Sequence, residues 1–218
     1  AVAFEETLAP STDTRDRPQR TVNPIALFST SAYPGVTKPT LSSFRFLTAF
    51  SGAEFGLTFL AMERLGYGPQ KNALLYVFVG VVLALVQGGY VRRRAPIMGP
   101  KRMAVHGFLF VGPGVLLLAF ATSTLWVYAA LFLMAVGSAQ VIPCLTSLAS
   151  GYTPANAQGR ILGLLRSLGA LARGVGPLIA CLLYWRLGAT AAYALLAFAI
   201  AWPLALTWLL PPLPESQD

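Results

Sequence analysis

The stretch Ile161 to Trp185, ILGLLRSLGALARGVGPLIACLLYW, is long enough to cross a bilayer as one helix, yet it carries Arg166 and Arg173. An ionisable group at that depth is costly and marks a functional site by default. At about 100° per residue, Arg166, Gly169, Arg173, Gly176 and Ala180 share one face. Ile161, Leu164, Leu168, Leu171, Val175, Leu178 and Leu182 share the opposite one. The pattern predicts a helix with a lipid side and a side that meets protein, water or a ligand. Arg173 lies about 18 Å into the span by helical rise, near mid-membrane. Arg166 is shallower and can snorkel to the cytoplasmic boundary. A guanidinium offers a planar fork of donors that suits carboxylates and other organic anions. Arg173 is therefore the first candidate for substrate binding and Arg166 the second. Gly163, Ser167, Ala170 and Gly174 recur at helical spacing beside the arginines and predict a close-packing surface. Gly176 with Pro177 supplies a flexible point that lacks one backbone donor.

The rest of the chain agrees with a membrane location. Of its 218 residues, 56% are hydrophobic and only 11% charged, and the mean hydropathy is +0.63, more apolar surface than a soluble core of this size can hide. The net charge of +8 does not indicate nucleic-acid binding, because the basic residues sit between apolar runs, where they set topology. Cys144 and Cys181 lie inside apolar stretches without metal-ligand spacing and read as small core residues.

Six stretches have spanning length: Ser42 to Met62, Ala73 to Val91, Met103 to Ala121, Leu125 to Ser150, Ile161 to Trp185 and Thr190 to Leu210. They predict an all-α membrane protein, a six-transmembrane-helix bundle over residues 41–211, between a polar cytosolic linker at 1–40 and a short cytosolic tail at 212–218. Arg15, Arg17, Arg20, Lys38, Arg92, Arg93, Arg94, Lys101, Arg102 and Arg160 fall on one set of alternate connectors; the other set holds Arg64, Lys71 and Arg186. By the positive-inside rule both termini are cytoplasmic.

Two further spans carry polar groups. In span one, Ser43, Ser51, Glu54 and Thr58 form a stripe, and Gly52 and Gly56 match a helix-packing motif on another face. Glu54 is the only acidic residue well inside a span. Desolvation and a neighbouring arginine act on a carboxyl in opposite senses, so its charge can respond to what occupies the site. This makes Glu54 the candidate for proton coupling. The competing reading is a permanent ion pair with Arg173 or Arg166 that fixes helix register. In span four, Gln140 can hydrogen-bond inside the bundle and Pro143 favours a kink, making Gln140, with Ser51, a further substrate-binding candidate. His106 reads as an interfacial residue. No catalytic residue, cofactor or metal site is expected: the sequence holds no nucleophile elbow, phosphate loop or zinc-ligand spacing.

The order of these features resembles the C-terminal six-helix half of a major facilitator superfamily transporter. Glu6-Thr7-Leu8-Ala9-Pro10 is similar to the segment that leaves the sixth helix in many members. Gly88-Gly89-Tyr90-Val91-Arg92-Arg93-Arg94 and Gly99-Pro100-Lys101-Arg102 resemble the family's glycine-and-basic loop. Gly159-Arg160-Ile161-Leu162-Gly163 and the string from Ser167 to Pro177 resemble the tetracycline-efflux-like branch of drug and proton antiporters. The resemblance implies a preceding N-terminal six-helix half needed for transport, a central site between two halves, and exchange of organic anions. The expected function is half of a secondary active transporter, a proton-coupled antiporter of amphiphilic organic anions or drugs in the plasma membrane rather than an organelle. Its expected partners are the lipid bilayer, protons and a small organic anion. The alternative is a non-transporting membrane scaffold or partner-binding protein.

Overall fold

Three glycines, Gly66, Gly99 and Gly188, hold positive φ angles of 63°, 76° and 79°, a conformation that side chains strongly disfavour. Each ends or breaks a helix. In the computed structural model, which describes residues 35–210, the elements between them are α1 (Thr37–Leu65), α2 (Pro69–Leu85), α3 (Arg92–Met98), α4 (Pro100–Ala119), α5 (Thr124–Gly151) and α6 (Gln158–Trp208). A π-helical segment, Val86–Val91, joins α2 to α3, and a short 3-10 turn, Ala155–Ala157, precedes α6. Pro69 and Pro100 open α2 and α4, where a missing backbone donor costs nothing. Among the described residues there is no strand. The 1–34 part of the expected linker and the expected tail lie outside the described residues.

Four helical runs are long and apolar enough to cross a membrane: Pro69–Met98, Pro100–Ala119, Thr124–Gly151 and Gln158–Trp208. The last has 51 residues, and the break at Gly188 divides it into two arms of crossing length. The sixth helix, α1, has 29 residues but is less apolar, since it carries Lys38, Arg45, Glu54, Glu63 and Arg64. The chain is an all-α membrane protein. One boundary needs correction. The second span was expected to stop at Val91, with Arg92, Arg93 and Arg94 in a connector. Instead the helix widens at Gly88 and Gly89 and continues through the arginines to Met98, because no left-handed glycine interrupts it before Gly99.

The packing rests on close backbone approach. A Cβ added at Gly52 would lie 2.9 Å from both Ala180 Cβ and the Gly176 carbonyl oxygen, and one at Gly56 would lie 3.0 Å from the Tyr193 hydroxyl. Hydrogen bonds reinforce the α1–α6 seam: Ser42 Oγ donates to the Pro203 carbonyl (3.0 Å) and the Tyr193 hydroxyl to that of Ala53 (2.9 Å). A second seam joins α4 to α5 at Gly107, Gly114 and Gly137. Phe46 of α1 meets Phe108 of α4 edge to face, 5.4 Å between centroids.

Opposite the basic helix ends, Arg64 joins three elements. Its Nη1 donates to the carbonyls of Ala119, the last residue of α4, and of Ala121 just beyond it (both 3.0 Å), and its Nη2 to Thr190 Oγ1 (2.7 Å) on the second arm of α6. Hydrogen bonds from a charged donor are worth about 1.5–3 kcal/mol, so Arg64→Met is expected to lower stability by about 2 kcal/mol. Thermal unfolding in detergent checks this, and a midpoint equal to that of the wild type excludes the clamp.

Candidate substrate site

The two arms of charge predicted from sequence meet, but not by direct contact. Glu54 projects from α1 and Arg173 from the first arm of α6; both side chains are exposed, and the charge of Arg173 acts on Glu54. Among the described residues neither closes an ion pair or a side-chain hydrogen bond. The surroundings of Glu54 are built by α2. The Tyr76 hydroxyl donates to the Glu54 backbone carbonyl (3.2 Å) and lies 3.0 Å from Thr58 Oγ1. Glu54 and Tyr76 are the polar lining of a narrow cleft of about 20 Å³, whose apolar lining includes Leu118, Leu131 and Met134. A carboxyl on α1 and a guanidinium on the first arm of α6 are thus both exposed, on helices packed against each other.

The other candidates fall in different places. Arg166 is exposed and has no partner among the described residues. Ser51 is buried in the α1–α6 seam, where its Oγ lies 3.3 Å from the carbonyls of both Thr48 and Ala172. Gln140 is fully buried: its Nε2 donates to the Val136 carbonyl (2.8 Å), and its Oε1 lies 2.9 Å from His106 Nδ1. With the amide so oriented Oε1 can only accept, so Nδ1 carries the proton. His106, expected at the interface, is thus held by a helix 34 residues away, a pairing no sequence spacing reveals.

The helical wheel of the first arm of α6 needs correcting. Ile161, Leu164 and Leu168, placed on the lipid side, are buried in protein, whereas Leu171, Leu178 and Leu182 are exposed. The protein-facing sector lies between the two predicted faces: Gly169, Ala172, Gly176 and Ala180 approach α1, while the arginines flank this sector in the open. Gly163 and Gly174, expected to pack helices, meet nothing within 4 Å of an added Cβ. Together with Ser167 and Ala170 they form an uncovered small-residue stripe. Gly176 lies against Ser51 and the Thr48 carbonyl, and Pro177 stands inside the helix one residue on.

Comparisons with known proteins bear on this arrangement. The profile of the Major Facilitator Superfamily matches residues 5–177 and 95–218. Major facilitator superfamily domain-containing protein 10 of Mus musculus is 35% identical over 166 residues, covering 76% of this chain and 36% of that protein. The Homo sapiens protein of that name is 37% identical over 151 residues, covering 69% and 33%. The class E tetracycline resistance protein of Escherichia coli is 34% identical over 125 residues, covering 54% and 31%. The crystal structure of the human organic anion transporter MFSD10 (TETRAN) superposes with a TM-score of 0.80 at 31% identity, covering 85% of this chain and 46% of that one. The chain spans about a third of the length of the curated relatives it matches.

Proposed function

The chain belongs to the Major Facilitator Superfamily, and on that premise we propose that it forms one half of a secondary active transporter, a proton-coupled carrier of amphiphilic organic anions, rather than an enzyme. The observation that carries this reading is the open Glu54–Arg173 arrangement: opposite charges within electrostatic reach, both accessible, with no direct bond between them. The relative described as an organic anion transporter supports the choice of substrate class. The scaffold alternative draws its stability from a permanent ion pair, and this arrangement does not supply one.

The chemistry follows from charge balance. A lone guanidinium is costly to carry through a low-dielectric barrier, so the carrier reorients when Arg173 is neutralised. Ionised Glu54 can do this in the empty state. A bound organic anion takes the role over and leaves Glu54 free to accept a proton, which crosses with the anion; the charge balance thus gives proton and anion the same direction, in place of the antiport expected from sequence. When Glu54 stays protonated, only an anion can neutralise Arg173, and the cycle becomes exchange of one anion for another. Ser51 contributes by holding α1 against the first arm of α6, Gln140 by tying α5 to His106 of α4, and Arg166 by attracting anions to the entrance. The basic residues on α3, at the start of α4 and at Arg160 favour a cytoplasmic side for both termini, and we take the plasma membrane as the site of action. The residues before α1 then link this bundle to an N-terminal half, since alternating access needs two halves rocking about a midplane site.

Glu54→Gln is the direct test, because it mimics the protonated state. In vesicles holding the complete protein, net uptake of a labelled organic anion driven by a pH gradient is expected to fall at least about ten-fold, while anion-for-anion counterflow persists. Retention of gradient-driven uptake in Glu54→Gln removes the proton role.

A further inference from the structure

The first turn of α4 and the end of α6 enclose a cavity of about 830 Å³ that the transport cycle does not use. Its lining combines two chemistries: Lys101, Arg102 and His106 are polar, whereas Val105, Leu109 and Trp208 are apolar or aromatic. Lys101 Nζ donates to the Leu210 carbonyl, which holds the end of α6 beside the start of α4. Arg102 is exposed and has no partner among the described residues. Arg92, Arg93 and Arg94, also exposed, lie on α3 immediately before. Nothing in the described protein balances these cations. The only acidic residues between 35 and 210 are Glu54 and Glu63, both on α1, and neither lines the cavity.

The apolar half continues beyond the cavity. Leu109 is 57% exposed and Trp208 67%, and Leu116 and Phe120 extend the uncovered face of α4 toward its other end. Unbalanced cations at a helix end, continuous with an exposed apolar face and an aromatic ring, match the border between headgroups and hydrocarbon. Basic pockets between membrane helices bind anionic lipid headgroups. We propose that this cavity is a binding site for one anionic phospholipid, its phosphate held by Arg102 and Lys101 and an acyl chain lying along Val105 and Leu109 beside Trp208. A free phosphate ion would leave the apolar wall in water, so the occupant is the lipid rather than the ion.

The test uses the whole 218-residue chain in native mass spectrometry, released from detergent with equimolar phosphatidylglycerol and phosphatidylcholine. One phosphatidylglycerol is expected to be retained in preference, and Arg102→Gln should reduce that preference roughly five-fold, the effect of about one charge at a membrane surface. Arg102→Lys, which keeps the charge, should preserve most of it and serves as the folding control. Excess inorganic phosphate should leave the lipid bound. Equal retention of the two lipids, an unchanged preference in Arg102→Gln, or displacement by inorganic phosphate overturns the proposal. Location is read separately. In chains keeping only Trp208 or only Trp126, brominated phosphatidylglycerol should quench Trp208 more than brominated phosphatidylcholine does, with no such difference at Trp126. Equal quenching of Trp208 by both lipids also overturns it.

Discussion

Gly137→Leu is expected to yield no folded, monodisperse protein, and Gly137→Ala to lower the unfolding midpoint by roughly 10 °C. At the α4–α5 crossing a Cβ on Gly137 would lie 2.5 Å from the Gly107 carbonyl oxygen and 2.7 Å from the Val111 backbone nitrogen. Both neighbours are backbone, so no rotamer change relieves the clash and the helices must separate. Separation also loosens Gly114, where an added Cβ would meet the Met134 backbone nitrogen at 2.9 Å. Overpacking of this kind costs about 3 kcal/mol. The controls are Gly163→Ala and Gly174→Ala, where an added methyl meets nothing within 4 Å and alanine is the better helix former by about 1 kcal/mol. A thiol-reactive dye can follow unfolding through Cys144, which is buried in α5, in a Cys181→Ser background that removes the exposed thiol. Coincident midpoints for Gly137→Ala and Gly163→Ala would contradict the assigned seam.

The contrast between these glycines also shows what a membrane sequence reveals and what it hides. Spanning length was readable because hydrocarbon excludes charge and limits where helices end. The orientation of the first arm of α6 was not. In water an apolar stripe points inward, but lipid tails and protein interior are equally apolar, so Leu168 inside and Leu178 outside look alike in sequence. Small residues mislead for the same reason. Gly52 and Gly176 pack because each meets the other's helix, whereas Gly163 and Gly174 have the same spacing and no neighbour in the described chain. The Gly107–Gly137 contact and the His106–Gln140 bond depend on how two helices register, which neither helix encodes alone. The π-helical continuation through Arg92 escaped because Gly88-Gly89 beside three arginines has the composition of a loop, while backbone bonding can carry it as a widened helix. Glu54 stands out in sequence as the acidic residue well inside a span, and Arg173 as the deeper of two arginines in its own. Their separation was not legible.

Arg173→Ala is expected to reduce uptake and counterflow of a labelled organic anion by about 10- to 100-fold in the complete protein, the loss of one charge-assisted contact worth about 1.5–3 kcal/mol. Its stability should stay within about 0.5 kcal/mol of the wild type, because the exposed guanidinium makes no hydrogen bond among the described residues whose loss would unfold the bundle. Arg173→Lys restores charge without the planar fork and should recover only part of the activity. Arg166→Ala is expected to cost less than about five-fold, since a charge at the entrance attracts the anion but is screened by solvent. The decisive comparison is the double variant. If Glu54 and Arg173 neutralise each other in the empty carrier, then Arg173→Ala leaves Glu54 without its counter-charge. Adding Glu54→Gln removes that unpaired carboxylate and should restore some counterflow relative to Arg173→Ala alone. Independent sites would instead show multiplied losses. Multiplied losses at unchanged stability would uncouple the two residues and leave Arg173 as an anion ligand that takes no part in proton coupling.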